Sequence, residues 1–240
     1  MEPRTAPHQS IERPTPGLRD PDTPAVGSHP RSDPPADAEY SSETGTTTIG
    51  LTTADGVVLA TDMRATLAGR FVTNKNVQKV EQIHPTAALT MVGSVGGAQA
   101  FVRGLRVESN LYETRRGERM SMQALSTIAG NFARAGPYWA INPILGGVDH
   151  EGSHVFSIAP DGGVLGEDYV VTGSGMQLAY GHLEQKYDPD ISTDEAIRVA
   201  AGGVVSATER DSGSGNGIYI ATVTEEGVDI EGHKNVDALL

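Results

Sequence analysis

β-branched and other apolar residues crowd Thr46 to Thr53 and Val57 to Asp62, on either side of Ala54-Asp55-Gly56. That pattern predicts two strands folded back on each other through a tight turn. Two shorter strands are expected around Phe71 and Val72 and from Val80 to Ile83, then a buried one from Ala87 to Val92. The last ends at the glycine cluster Gly93 to Gly97. Beyond it Ala98, Phe101, Val102, Leu105 and Tyr112 recur at helical spacing. Ser121 is the expected N-cap of a second helix reaching Arg134, which would bury Leu125, Ile128, Ala129 and Phe132 and stop at Gly136-Pro137.

The second half repeats the theme. Strands are expected at Ile144 to Val148, His154 to Ala159, Gly163 to Leu165 and Tyr169 to Thr172, followed by Gly173-Ser174-Gly175 and a helix to about Gln185. Ser192-Thr193-Asp194-Glu195 has the form of a capping box, opening a helix that would bury Ile197, Ala201, Val204, Val205 and Thr208. Strands Gly217 to Thr224 and Val228 to Ile230 close the chain. Strands and helices thus come in clusters rather than in alternation. This predicts an α+β fold of antiparallel sheets with helices packed outside, not a doubly wound parallel sheet.

Composition separates the first 45 residues from the rest. They hold nine of the 14 prolines and few long apolar side chains, so they cannot bury enough surface to offset ordering and are expected to be disordered. They lack the apolar run of a secretory signal. Nor does any stretch of about 18 apolar residues occur, which predicts a soluble protein without a membrane partner. The net charge of −13 argues against nucleic acid as a partner. Only four of 18 basic residues are lysine, which, beside the acidic surplus, suggests adaptation to high salt. The absence of cysteine excludes disulfides and thiolate chemistry and fits a cytoplasmic location.

Several chemical signals compete. His150-Glu151-Gly152-Ser153-His154 matches a zinc-protease pattern, but that chemistry needs a helix to put both histidines on one face. Here Gly147, Asp149 and Gly152 between β-rich runs predict a hairpin, so no metal is expected. The glycine cluster lacks the spacing of a nucleotide-binding loop. No Gly-x-Ser-x-Gly elbow is present.

Gly45-Thr46-Thr47-Thr48 is different. A cut after Gly45 would leave Thr46 with a hydroxyl and a free α-amine, a nucleophile together with a base whose ordinary pKa lies near about 8. Taken alone, the run is equally a strand former. Asp62 and Lys79 alone would be a turn residue and a rim cation.

Together with Asp62-x-Arg64, Lys75-Asn76 leading to Lys79, Gly93, Thr172-Gly173-Ser174-Gly175 and Arg210-Asp211-Ser212-Gly213-Ser214-Gly215, however, the run resembles the β subunits of the 20S proteasome, most closely the archaeal type, over residues 45 to about 232. The interval between Arg64 and Lys79 is one residue longer than is usual in that family. The resemblance implies a four-layer αββα sandwich of the N-terminal nucleophile hydrolases and a threonine endopeptidase without a cofactor. By the same resemblance residues 1 to 45 are a propeptide removed by an autocatalytic cut between Gly45 and Thr46, leaving residues 46–240 as the catalytic domain. Thr46 would be the nucleophile, Lys79 would sit beside its hydroxyl held by Asp62, and the Gly93 amide would face the oxyanion. Ser174, Asp211 and Ser214 would orient the terminal threonine. Either Lys79 or the amine could be the base.

Ala65, Val77, Met91 and Val95 would line the first specificity pocket, with Glu81 and Gln99 near its edge. Apolar walls predict cleavage after large apolar residues, and Glu81 is the feature that would admit basic ones instead. The implied partners are proteasome α subunits, other β subunits in stacked heptameric rings, a regulatory ATPase acting indirectly, and unfolded protein substrates. A catalytically silent ring subunit and an amidohydrolase for a small amide are the rival readings.

Overall fold

The computed structural model describes residues 45–67, 69–135 and 141–240. The leader reading therefore falls, apart from Gly45, outside the described residues, as does the Gly136-Pro137 helix stop. β1 (Thr47–Thr52) and β2 (Val57–Asp62) form the expected hairpin, closed by the Thr53 amide on the Gly56 carbonyl at 2.8 Å. β3 (Ala65–Leu67) and β4 (Phe71–Asn74) make a small two-stranded ribbon. β5 (Val80–His84), β6 (Ala87–Thr90), α1 (Val95–Arg116) and α2 (Met122–Arg134) follow. After them come β7 (Ile144–Asp149), β8 (Gly152–Ile158), β9 (Val164–Glu167), β10 (Tyr169–Gly173), α3 (Met176–Lys186), α4 (Thr193–Thr208), β11 (Ile218–Thr224) and β12 (Gly227–His233).

All pairings are antiparallel, in one sheet ordered β10-β1-β2-β11-β12 and another ordered β5-β6-β7-β8-β9. Period-two alternation along each strand sends side chains to opposite faces, and the buried clusters show what each face meets. Val57, Leu59, Ile144, Val155, Val170 and Val223 fill the seam between the sheets. Ile49, Leu51, Val58 and Ala60, on the other face of the first sheet, pack under α3 and α4. Leu89, Leu145 and Phe156 on the second sheet pack under α1 and α2 with Phe101, Leu105 and Leu125. The four layers are therefore helices, sheet, sheet, helices, as the clustered element order predicts.

Local details depart from the expectations. α1 starts at Val95, inside the glycine cluster, because Ser94 caps it by accepting from the Gly97 amide. β3 is unanticipated, being too short for an alternation to register. β12 runs to His233 along an edge whose outer residues are polar. In α4 the buried face is made of Ala196, Ala200, Ala201, Gly203, Val204 and Ala207, while Ile197, Val205 and Thr208 are only half-buried. Small residues let that helix lie close on β1 and β2, and the bulkier side chains occupy its flanks. Ile128 and Phe132 are likewise half-buried on α2.

Leu59 sits with no exposed surface in the seam between the sheets. Leu59→Ala should cost about 2–5 kcal/mol, the range for emptying a fully packed position, and a fall in the urea midpoint of unfolding measures it.

Candidate active site

The register of the first sheet builds the site at one end of the sandwich. Thr48 pairs with Thr61 and Ile218 with Asp62, so Asp62, the last residue of β2, lies beside the start of β1. Lys79 immediately precedes β5, in the second sheet, and its side chain crosses to the first. Lys79 Nζ donates to Thr46 Oγ1 and, at 2.7 Å, to Asp62 Oδ1, while Thr46 Oγ1 donates to Asp62 Oδ1 at 2.8 Å. Thr46 and Asp62 have no exposed surface, and Lys79 is 5% exposed.

Asp62 takes three further bonds from backbone amides. The Thr47 amide donates to Oδ1 at 3.0 Å, and the amides of Arg64 and Gly215 donate to Oδ2 at 2.9 Å each. Such saturation replaces the water that a buried carboxylate gives up. Burial holds the Lys79 amine below its ordinary value, and the neighbouring Asp62 charge offsets this only in part. Near neutral pH an amine so placed gives up its proton more readily than a surface lysine.

The backbone nitrogen of Thr46 is held separately. It donates to Ser174 Oγ at 3.0 Å, and Ser174 donates in turn to Asp211 Oδ2 at 2.7 Å. Ser214 Oγ donates to the same carboxylate oxygen at 2.6 Å and contacts the Thr47 hydroxyl at 2.7 Å. Asp211 and Ser214 lie in the loop between α4 and β11, and Ser174 follows β10. Gly45 is buried, its amide bonded to Thr66 Oγ1 at 3.2 Å. It lies against Gly213 so closely that a Cβ on either would collide with the other's Cα. The Gly45–Thr46 linkage thus rests in a slot that only paired glycines permit.

A cleft of about 410 Å³ opens beside Lys79. Ala65, Val77, Met91 and Val95 all line it, as do Glu81 and Gln99. Gly93, with φ of 92° and a bridge to Ile141, forms part of the same wall. All the residues singled out as catalytic therefore gather around Thr46 or the adjoining cleft.

Sequence reading missed the contacts of Thr47 and Thr66, and also Arg103 and Arg106 on the cleft wall. The two arginines share a helix face with Gln99 and Val102 at spacings of three and four, a signal present in the sequence. As expected, His150 and Glu151 lie in a hairpin turn rather than on a helix. Asp149, Glu151 and His154 do bring ligand atoms within 4.8 Å of one another. Asp149, however, is engaged by His154 Nε2 at 3.0 Å and by the Met122 amide at the start of α2 at 2.6 Å.

The four-layer sandwich is that of the N-terminal nucleophile hydrolases. The description "Proteasome subunit" belongs to the family model that matches residues 42–223. Proteasome subunit beta 1 of Haloterrigena turkmenica is 67% identical over 218 residues, 90% of each chain. The proteasome subunit beta of Natrialba magadii is 66% identical over 218 residues, again 90% of each. That of Natronomonas pharaonis is 64% identical, over 90% of this chain and 91% of its own. The chain belongs to the proteasome subunit family, on its β side, and these three relatives are haloarchaeal, in keeping with the acidic, lysine-poor composition. Among the described residues no helix is long and apolar enough to cross a membrane.

Removing one member of a buried ion pair leaves the other uncompensated, at a cost of about 3–5 kcal/mol. Asp62→Ala should lose stability on that scale, with a smaller loss for Asp62→Asn, and denaturant unfolding of the two variants against wild type gives the comparison.

Proposed function

We propose that this chain is a catalytic β subunit of a 20S proteasome core, made as a precursor and matured into a threonine endopeptidase. The observation that carries the reading is the single point at which the Thr46 hydroxyl, the Lys79 amine and the Asp62 carboxylate meet, next to a buried Gly45–Thr46 bond.

In maturation Thr46 Oγ1 bonds to the Gly45 carbonyl carbon, and its proton passes to the Lys79–Asp62 pair. The carbon–nitrogen bond then breaks, the nitrogen takes a proton, and water hydrolyses the resulting ester, releasing residues 1 to 45. The nitrogen of Thr46 is an amide at this stage and too weak a base to help. Afterwards it is an amine bonded to Ser174 and shares the work of the base with Lys79. A substrate peptide repeats the cycle: Thr46 Oγ1 bonds to its carbonyl carbon, the carbon–nitrogen bond breaks as the amine portion leaves with a proton, and water hydrolyses the ester to free the new carboxylate. The Gly93 amide stabilises the tetrahedral oxyanion. Asp211 holds Ser174 and Ser214, and through them the terminal threonine.

The apolar lining of the cleft supports cleavage after large apolar residues. The subunit works in stacked heptameric rings (α7β7β7α7) with α subunits at the ends, in the cytoplasm, on unfolded chains delivered with the help of an ATPase. No cofactor enters the chemistry.

Intact mass of the assembled particle provides the test. Wild type should lack residues 1 to 45, whereas Thr46→Ala should keep them and lose peptide hydrolysis by roughly 10⁴-fold or more, as removal of a nucleophile does. A wild-type particle that retains its first 45 residues, or an alanine variant that still digests peptides, would leave the silent ring subunit or another mechanism in its place.

A further inference from the structure

Among the described residues Glu81 is the one carboxylate on the cleft wall, and it already has a partner. Arg106 on α1 reaches across to β5, placing Nη2 2.9 Å from Glu81 Oε2 and donating from Nε to the Gln82 carbonyl at 2.7 Å. Two bonds from adjacent edges of one guanidinium fix its plane, a grip that a lysine could not reproduce. Lys79, at the inner end, is matched by Asp62. Arg103, one helical step before Arg106, is exposed and makes no ion pair among the described residues. The cleft's uncompensated charge is therefore positive, although Glu81 stands on its wall.

We propose that Arg106 is a specificity-determining residue: by clamping Glu81 it withholds that carboxylate from substrates, so that with Arg103 the cleft admits apolar and acidic side chains and turns away basic ones. This deepens the function proposed above and rests on it, since it takes the cleft to hold the side chain before the scissile bond. A basic side chain entering the cleft must displace Arg106 from Glu81 or lie against two like charges, a repulsive device of the kind that sets specificity. High salt sharpens the division of labour. At about 1 M salt the screening length is about 3 Å, which weakens the longer reach of Arg103 more than the Arg106–Glu81 contact. The clamp, rather than the general field, is then the main barrier to basic residues.

Fluorogenic peptides with tyrosine, glutamate or arginine before the scissile bond, given to the assembled particle, test the idea. In wild type the arginine peptide should be the slowest of the three. Arg106→Met, which keeps the apolar stem, should raise the arginine-to-tyrosine rate ratio about fivefold, the scale of one partly exposed ion pair. Adding Glu81→Gln to Arg106→Met should abolish that rise. An unchanged ratio in Arg106→Met, a rise that survives the double substitution, or an arginine peptide that is already the best wild-type substrate would overturn the proposal. Arg103→Glu alters an exposed side chain and covers the case in which Arg106→Met does not assemble. It should raise the arginine-to-glutamate ratio, and no change there counts against the part given to Arg103. Failure of the underlying function looks different, since the tyrosine peptide would then go uncut by wild type or be cut equally well by Thr46→Ala.

Discussion

One buried carboxylate holds the working end of this molecule together. Asp62 receives five hydrogen bonds, from Thr46, Thr47, Arg64, Lys79 and Gly215. Those donors come from the segment leading into β1, from β1 itself, from the turn after β2, from the lead into β5 and from the loop before β11. No apolar contact could impose such a convergence, because dispersion has no direction, whereas a carboxylate with five donors fixes both distance and angle. The cost of burying the charge is offset only while the set is complete. Geometry at the hydroxyl and integrity of the strand ends are for that reason the same problem.

The rest of the fold supplies the rigidity on which this convergence depends. Lys79 leads into the second sheet and Asp62 ends a strand of the first, so their ion pair ties together the two sheets whose seam is filled by Leu59, Ile144, Val155 and their neighbours. Any slip between the sheets would be felt directly at Thr46. The second polar group, Ser174, Asp211 and Ser214, addresses the nitrogen rather than the hydroxyl, and it meets the first at Thr47 and in the loop before β11. Hydroxyl and nitrogen of the same residue are thus held by two networks that join at Thr47.

Much of this was legible in the residues. The hairpin at Ala54-Asp55-Gly56, the helix caps at Ser121 and Ser192 and the clustered order of strands and helices follow from local chemistry, and local chemistry is what a sequence states openly. The helix faces were harder. Hydrophobicity ranks Ile197 and Val205 above the alanines of α4, but the close approach of helix to sheet selects by size, and size matters only once the distance is known. β3 escaped because three residues cannot show a period. The gathering of Thr46, Asp62, Lys79, Ser174 and Asp211 depends on register and on the stacking of two sheets. Spacing along the chain does not reveal it, and only the resemblance to a known family brought these residues together in advance. The pairing of Glu81 with Arg106 had no such help, since it arises from how α1 docks on β5.

The slot around Gly45 has a consequence for timing. An outside processing enzyme needs a bond it can draw into extended form along its own groove, and the Gly45–Thr46 bond lies under the surface, pressed against Gly213. On the proposed reading, activation is then an event within each molecule that needs no helper protease. Its clock runs from the moment the pocket is correctly built, so that a misfolded copy stays harmless by default.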